Sequence, residues 1–227
     1  MIAENLQNVL DKIGAAALKS GRTQEDITLV AVSKTRAVAE LDAVLAAGAL
    51  HLGENRVQEA ETKRPEVSGN GVWHLIGHLQ SNKAKKAASL FDWIDAVDSM
   101  KVADILSSTA HDLEKTLDVL VQINISGEGV KSGVELSRAA ELASYIAEKK
   151  ALRLRGIMTI GSFGASESLA RAEFQKMRTL YDTLRETDSY GPNFDTLSMG
   201  MSGDYEAAIE EGATMVRVGT AIFGQRG

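Results

Sequence analysis

The stretch DITLVAVSKTRA, residues 26 to 37, carries an apolar run from Ile27 to Val32 and then sets Ser33 and Lys34 at its tip. A lysine after a buried-strand pattern has a plain reading, in which its stem lies on the rim and its ammonium stays in water. It also has a chemical one. A desolvated ammonium loses pKa and becomes an amine nucleophile that can form a Schiff base with a carbonyl. Far along the chain, LSMGMSGD (197 to 204) crowds two glycines and two serines between apolar and helical patterns, and VRVGTAIFG (216 to 224) sets Gly219 and Thr220 after another apolar run. Such turns present backbone N–H groups and hydroxyls at a helix start, which suits an anion, although a simple helix cap uses the same residue types. An aldehyde that also carries a phosphate would join the two features. Pyridoxal phosphate is one such molecule, and a phosphorylated sugar in a Schiff-base aldolase is another.

Other chemistries fail on spacing. GEGVKSG (127 to 133) has Val130 where a nucleotide P-loop needs its second glycine, and GMSGD ends on Asp204 where a nucleophile elbow needs glycine. His74 and His78 in WHLIGHLQ lie four apart on a strand and its turn, without the glutamate of a zinc helix, and read as satisfied core or rim histidines. Lys83, Lys85 and Lys86 read as a solvated helix face. There is no cysteine, which excludes disulfides, thiolate metal sites and a cysteine nucleophile.

The elements that must position Lys34 and the glycine-rich turns alternate along the chain. Eight strand-like runs fall at 27–33, 49–53, 72–77, 93–97, 117–125, 152–160, 196–199 and 215–218, with helically spaced segments between them. Alternation of this kind implies parallel strands joined by helical crossovers. Eight units fit an α/β fold of the (β/α)8 TIM-barrel type, with residues 2 to 19 as an additional N-terminal helix and the last helix short or missing. An open doubly wound sheet is the competing arrangement. Neither a linker nor a low-complexity tract divides residues 1–227, so a single domain is expected. In a barrel, chemistry belongs at the C-terminal ends of the strands, and phosphate at the loops after strands seven and eight. Those are the loops of the two glycine-rich turns.

Composition narrows the partners. A formal net charge of −6 without a basic arm argues against nucleic acid. The amino terminus mixes charge with apolar spacing, and no segment approaches a membrane span, so a soluble cytoplasmic protein is expected.

At this point the segments LVAVSKTRA, HLGENRVQEA, WHLIGHLQSNKAKK, QINISGEGVKSG, RGIMTIG and LSMGMSGDYEAAIEEGATMVRVGTAIFG together resemble the pyridoxal phosphate homeostasis protein family, in the same order from about Ile27 to Gly224. The resemblance implies a barrel similar to the N-terminal domain of bacterial alanine racemase, with pyridoxal phosphate held as a Schiff base on Lys34. It further implies that Ser198, Met199, Gly219 and Thr220 hold the phosphate, partly through backbone N–H groups. Asn55 would lie near the ring hydroxyl, Arg217 would face the pyridine nitrogen, and Met158 and His78 would line the pocket. One departure stands at Arg36-Ala37, where the family usually has proline.

Physical chemistry agrees with part of this. An arginine at the ring nitrogen keeps that nitrogen unprotonated and weakens the cofactor as an electron sink. Arg217 also has a structural alternative, pairing with a barrel carboxylate such as Glu54. Racemisation needs acid and base on opposite faces, and Tyr205, the tyrosine near a cofactor turn, is expected to pack in its helix. The function expected is cofactor homeostasis with little or no turnover. A racemase-like enzyme using pyridoxal phosphate and a cofactor-free aldolase are the alternatives. PLP-requiring apo-enzymes are the expected recipients and a monomer the expected state; Lys131 reads as a solvated loop lysine or a second aldehyde contact.

Overall fold

Apolar runs of four to eight residues, too short for buried helices, alternate with longer segments whose apolar residues recur every three or four positions. The computed structural model, which describes residues 1–126, 132–162, 164–187 and 190–225, turns this pattern into strands and helices in strict succession. Helix α1 (Ile2–Lys19) comes first; its buried residues Leu6, Val9, Ile13, Ala16 and Ala17 form one stripe at helical spacing. That stripe is laid against α8 (Tyr205–Glu210) and α9 (Thr220–Phe223), so the additional N-terminal helix packs on the last two barrel helices.

The strands are β1 (Thr28–Val32), β2 (His51–Glu54), β3 (Val72–Leu75), β4 (Trp93–Val97), β5 (Leu117–Asn124), β6 (Val134–Glu135), β7 (Leu152–Thr159), β8 (Thr196–Met201) and β9 (Met215–Val218). All pair in parallel in the order β4-β3-β2-β1-β9-β8-β7-β5-β6, and a β4–β5 pairing closes the sheet. Closure overturns the open-sheet alternative. Eight strands make the barrel, as expected, and the ninth, β6, is a two-residue addition pairing with the end of β5. Between them run α2 (Val38–Ala46), α3 (Val57–Lys63), α4 (Ser81–Leu90), α5 (Met100–Asp112), α6 (Ala139–Ala147) and α7 (Glu167–Glu186). The final helix, α9, has four residues, in line with a short last helix.

Strand alternation sorts the core into two shells. Val30, Val32, Ile76, Trp93, Ala96, Leu120, Met158 and Met215 fill the barrel interior, while residues such as Ala31, Leu52, Ile94, Val121, Leu197 and Val216 face the helices. The interior is thus plugged by side chains, and a ligand is left the rim at the strand C-termini.

Candidate functional site at the barrel mouth

Val30 and Val32 point into the interior, so the same face of β1 carried two residues further is position 34. The strand stops at Val32, and the half-buried Lys34 stands in the turn that leaves the barrel mouth. Because the barrel closes, β1 lies directly beside β9, with Val30 opposite Arg217 and Ala31 opposite Val218. The Gly219–Thr220 turn is therefore the neighbour of the lysine turn.

Arg217 lies in the interior at 3% exposure. Its Nη1 donates to Ser198 Oγ at 2.6 Å and its Nη2 to the Thr159 carbonyl at 2.7 Å, both neutral acceptors. Burial lowers the pKa of the guanidinium, opposed by the charges of Asp95 and Asp204. The pairing with Glu54 does not occur: Glu54 accepts from Ser33 Oγ at 2.7 Å and from Lys63 Nζ at 2.9 Å, on the helix side of β2. Among the described residues no carboxylate comes within ion-pair distance of Arg217. A buried cation held only by neutral oxygens favours a ligand that accepts hydrogen bonds. Met158, fully buried, stands opposite Ser198 in the β7–β8 register and shares the interior cluster.

Strand β8 runs on to Met201, so Ser198 and Met199 are strand residues and the turn proper is Ser202 to Asp204. Met199 points its side chain into the helix-facing core, which leaves only its backbone for a ligand. Gly200 adopts φ +91, and a Cβ there would meet the Ala208 side chain at 2.5 Å; glycine lets α8 close onto the strand end. Asp204 Oδ1 accepts from Met201 N–H at 2.6 Å, pinning the turn. Ser202 Oγ accepts from Gly219 N–H at 3.0 Å and so joins the two expected anion turns directly. A Cβ on Gly219 would stand 3.2 Å from Val32, which is how β9 approaches the lysine strand so closely. Thr220 follows, exposed, as the first residue of α9.

Asn55, half-buried, follows β2 on the same rim. His78 is exposed and its Nδ1 lies 3.2 Å from Asp98. It borders a cavity of about 200 Å³ with Gln122, Asn124, Ser132, Ile160, Gly161 and Met201. Gln122 donates from Nε2 to the Ser132 carbonyl at 3.2 Å, which fixes the amide orientation, and its buried Oε1 has no partner among the described residues. The mouth thus offers an amine on the β1 turn, donors from β9 and its turn, and an unused acceptor on β5.

The chain matches the family described as alanine racemase, N-terminal domain, over residues 6–227. It is 45% identical over 229 residues to the pyridoxal phosphate homeostasis protein of Escherichia coli, covering 99% of this chain and 97% of that one. The protein of the same name from Pseudomonas aeruginosa is 42% identical, over 99% of this chain and 96% of that one. This chain belongs to the pyridoxal phosphate homeostasis protein family. Among solved structures, PipY of Synechococcus elongatus with pyridoxal phosphate bound superposes with a TM-score of 0.86 at 34% identity, covering 99% of this chain and 100% of that one. A protein of unknown function from Bifidobacterium adolescentis gives a TM-score of 0.91 at 37% identity, over 98% and 94% of the two chains. Alanine racemase of Clostridium difficile shares the fold at 17% identity and a TM-score of 0.76, with 98% of this chain spanning 57% of that enzyme.

In this member of the pyridoxal phosphate homeostasis family, several polar groups of the barrel escape sequence reading because their partners lie on different strands. His74 Nδ1 meets Asp95 at 3.0 Å and its Nε2 meets His51 Nδ1 at 2.9 Å, a chain of three groups from three strands inside the barrel. His74 also stacks on Trp93, with ring centroids 5.0 Å apart. His74 is thus the satisfied core histidine that was expected, and His78 the rim one. His51 borders a basal hollow, and burial followed by the charge of His74 pushes its pKa down to about 4. Ser202 sits within a quoted motif, yet only the fold gives it Gly219. Tyr205 packs in the first turn of α8 as expected. Lys85 and Lys86 are exposed, Lys86 pairing with Glu61 at 2.7 Å, while Lys83 is half-buried. Lys131 lies outside the described residues. Among those that are described, no helix is long and apolar enough to cross a membrane.

Proposed function

We propose that this chain binds pyridoxal 5'-phosphate at the barrel mouth through a reversible Schiff base on Lys34 and serves the supply of that cofactor, with little or no turnover of its own. Support comes from relatives named pyridoxal phosphate homeostasis protein and from the pyridoxal phosphate-bound neighbour at 34% identity. The observation that carries the reading is the buried Arg217, hydrogen-bonded among the described residues only to neutral oxygens and one strand away from the Lys34 turn. Lys34 in its neutral form would add to the aldehyde carbon; a C=N bond replaces C=O, and water leaves with the carbonyl oxygen and both amine protons. Addition of water reverses the step without any further reactant.

Ser198, Gly219 and Thr220, with the Met199 backbone, are the proposed phosphate contacts, Asn55 the contact near the ring hydroxyl, and Met158 and His78 the lining. When bound, the cofactor would supply an electron sink, and Arg217, as a donor to the ring nitrogen that keeps its own proton, would weaken it. Loading and unloading therefore suit the site better than stabilising a carbanion. PLP-requiring apo-enzymes are the proposed recipients, a monomer the proposed state and the cytoplasm the proposed location.

The test is an absorbance titration with pyridoxal phosphate, beside Lys34→Ala. A band near about 420 nm in the wild type, absent from the variant, is expected. Full band and full stoichiometry in Lys34→Ala would overturn the reading. Deuterium exchange at an amino acid Cα well above the rate with free cofactor, lost in Lys34→Ala, would replace it with the racemase-like alternative.

A further inference from the structure

Thr35, the residue directly after Lys34, adopts φ +64. For a β-branched residue this is an outlier that persists only where surroundings enforce it. The enforcing contacts come from β2 and α3. Thr35 N–H donates to Glu59 Oε2 at 2.8 Å, and Lys63 Nζ reaches the same oxygen at 3.1 Å. Lys63 also donates to the Ser33 carbonyl at 3.0 Å and to Glu54 Oε1 at 2.9 Å, while Ser33 Oγ donates to Glu54 at 2.7 Å. Arg36 N–H closes the turn on the Ser33 carbonyl at 3.0 Å. The residues on either side of Lys34 are thus held by one charged cluster, in which Ser33 and Glu54 are fully buried.

We propose that Glu59 and Lys63 are positioning residues for Lys34: by locking Thr35 in the left-handed conformation they fix where the lysine leaves the barrel rim and so its approach to a bound carbonyl. The inference rests on the reading of Lys34 as the Schiff-base residue. An amine that must meet a carbonyl carbon along a narrow approach gains from a fixed backbone anchor, because disorder in the anchor lowers the fraction of productive geometries. The cluster lies on the helix side of the sheet. It therefore acts through the turn, without touching the ligand.

Strain supplies the control. Glycine accepts φ +64 without penalty, so Thr35→Gly should make the turn much less dependent on Glu59. The experiment follows the rise of the imine band after mixing with pyridoxal phosphate in wild type, Glu59→Ala, Thr35→Gly and the double variant, with amide exchange at residue 35 recorded alongside. Glu59→Ala, which removes the acceptor of Thr35 N–H, is expected to slow imine formation about tenfold in the wild-type background and less than threefold in the Thr35→Gly background, and to raise exchange at Thr35 while β1 stays protected. A wild-type rate in Glu59→Ala, or an equal loss in both backgrounds, overturns the proposal. Absence of any imine band in the wild type overturns the Lys34 reading itself, and this inference with it.

Discussion

Ser202 Oγ accepts a hydrogen bond from Gly219 N–H at 3.0 Å, and through it the turn after β8 is joined to the turn after β9. On the other side of β9, Arg36 stacks over Phe223 and donates to the Gly224 carbonyl, joining the lysine turn to the end of α9. Three turns distant in sequence thus form one rim.

If that rim takes a phosphate, Ser202 is its hinge pin. Ser202→Ala strips Gly219 N–H of its partner and removes a hydroxyl from the expected anion site. Pyridoxal phosphate should bind about fivefold more weakly, as loss of about 1 kcal/mol requires, while pyridoxal, which lacks the phosphate, should bind as before. Equal losses for the two ligands by fluorescence titration would take Ser202 out of phosphate binding.

Arg217 offers a sharper contrast between folding and binding. Replacing a buried charge by an apolar side chain of similar volume often leaves stability little changed, and the acceptors left behind, Ser198 Oγ and the Thr159 carbonyl, are neutral. Arg217→Met should keep the fold, with stability within about 2 kcal/mol of wild type, yet lose at least about tenfold in affinity for pyridoxal phosphate. Calorimetric unfolding alongside a cofactor titration separates the two; undiminished affinity would show that the guanidinium serves packing alone.

Acid stability should carry the signature of His51. Burial, and then the charge of His74, pushes its pKa from 6.5 down to about 4, with Asp95 opposing. The unfolded chain then binds this proton more readily than the native one. The stability contribution is fully present above pH 6.5 and is lost as pH falls toward 4, at up to about 1.4 kcal/mol per pH unit. Glu54 and Asp118, whose pKa values burial raises, act with the opposite sign in acid, so the informative quantity is a difference between proteins. His51→Asn should show a shallower loss of stability than wild type between pH 6.5 and 4 in denaturant titrations, and parallel curves would exclude His51 as the source.

How far the sequence speaks depends on the range of the interaction. Alternation of period two and period 3.6 is local, so the β/α succession, the helix at residues 2 to 19 and the short last helix follow from the chain itself. A lysine at the end of an apolar run is equally local, and the motifs around it are specific enough to carry the family. Ring closure is not local. The β1–β9 and β4–β5 pairings together make a barrel of what periodicity leaves open between barrel and open sheet, and the first of them sets the Gly219 turn beside Lys34. The partners of buried polar groups belong to the same class. Arg217 chooses Ser198 and Thr159 over Glu54, and His51, His74 and Asp95 find one another from three strands, because inside a low-dielectric barrel each such group must meet whatever the packing of other strands brings within hydrogen-bond reach. Residue types and their order determined which chemistry is possible here; the closed barrel decided which of those groups meet.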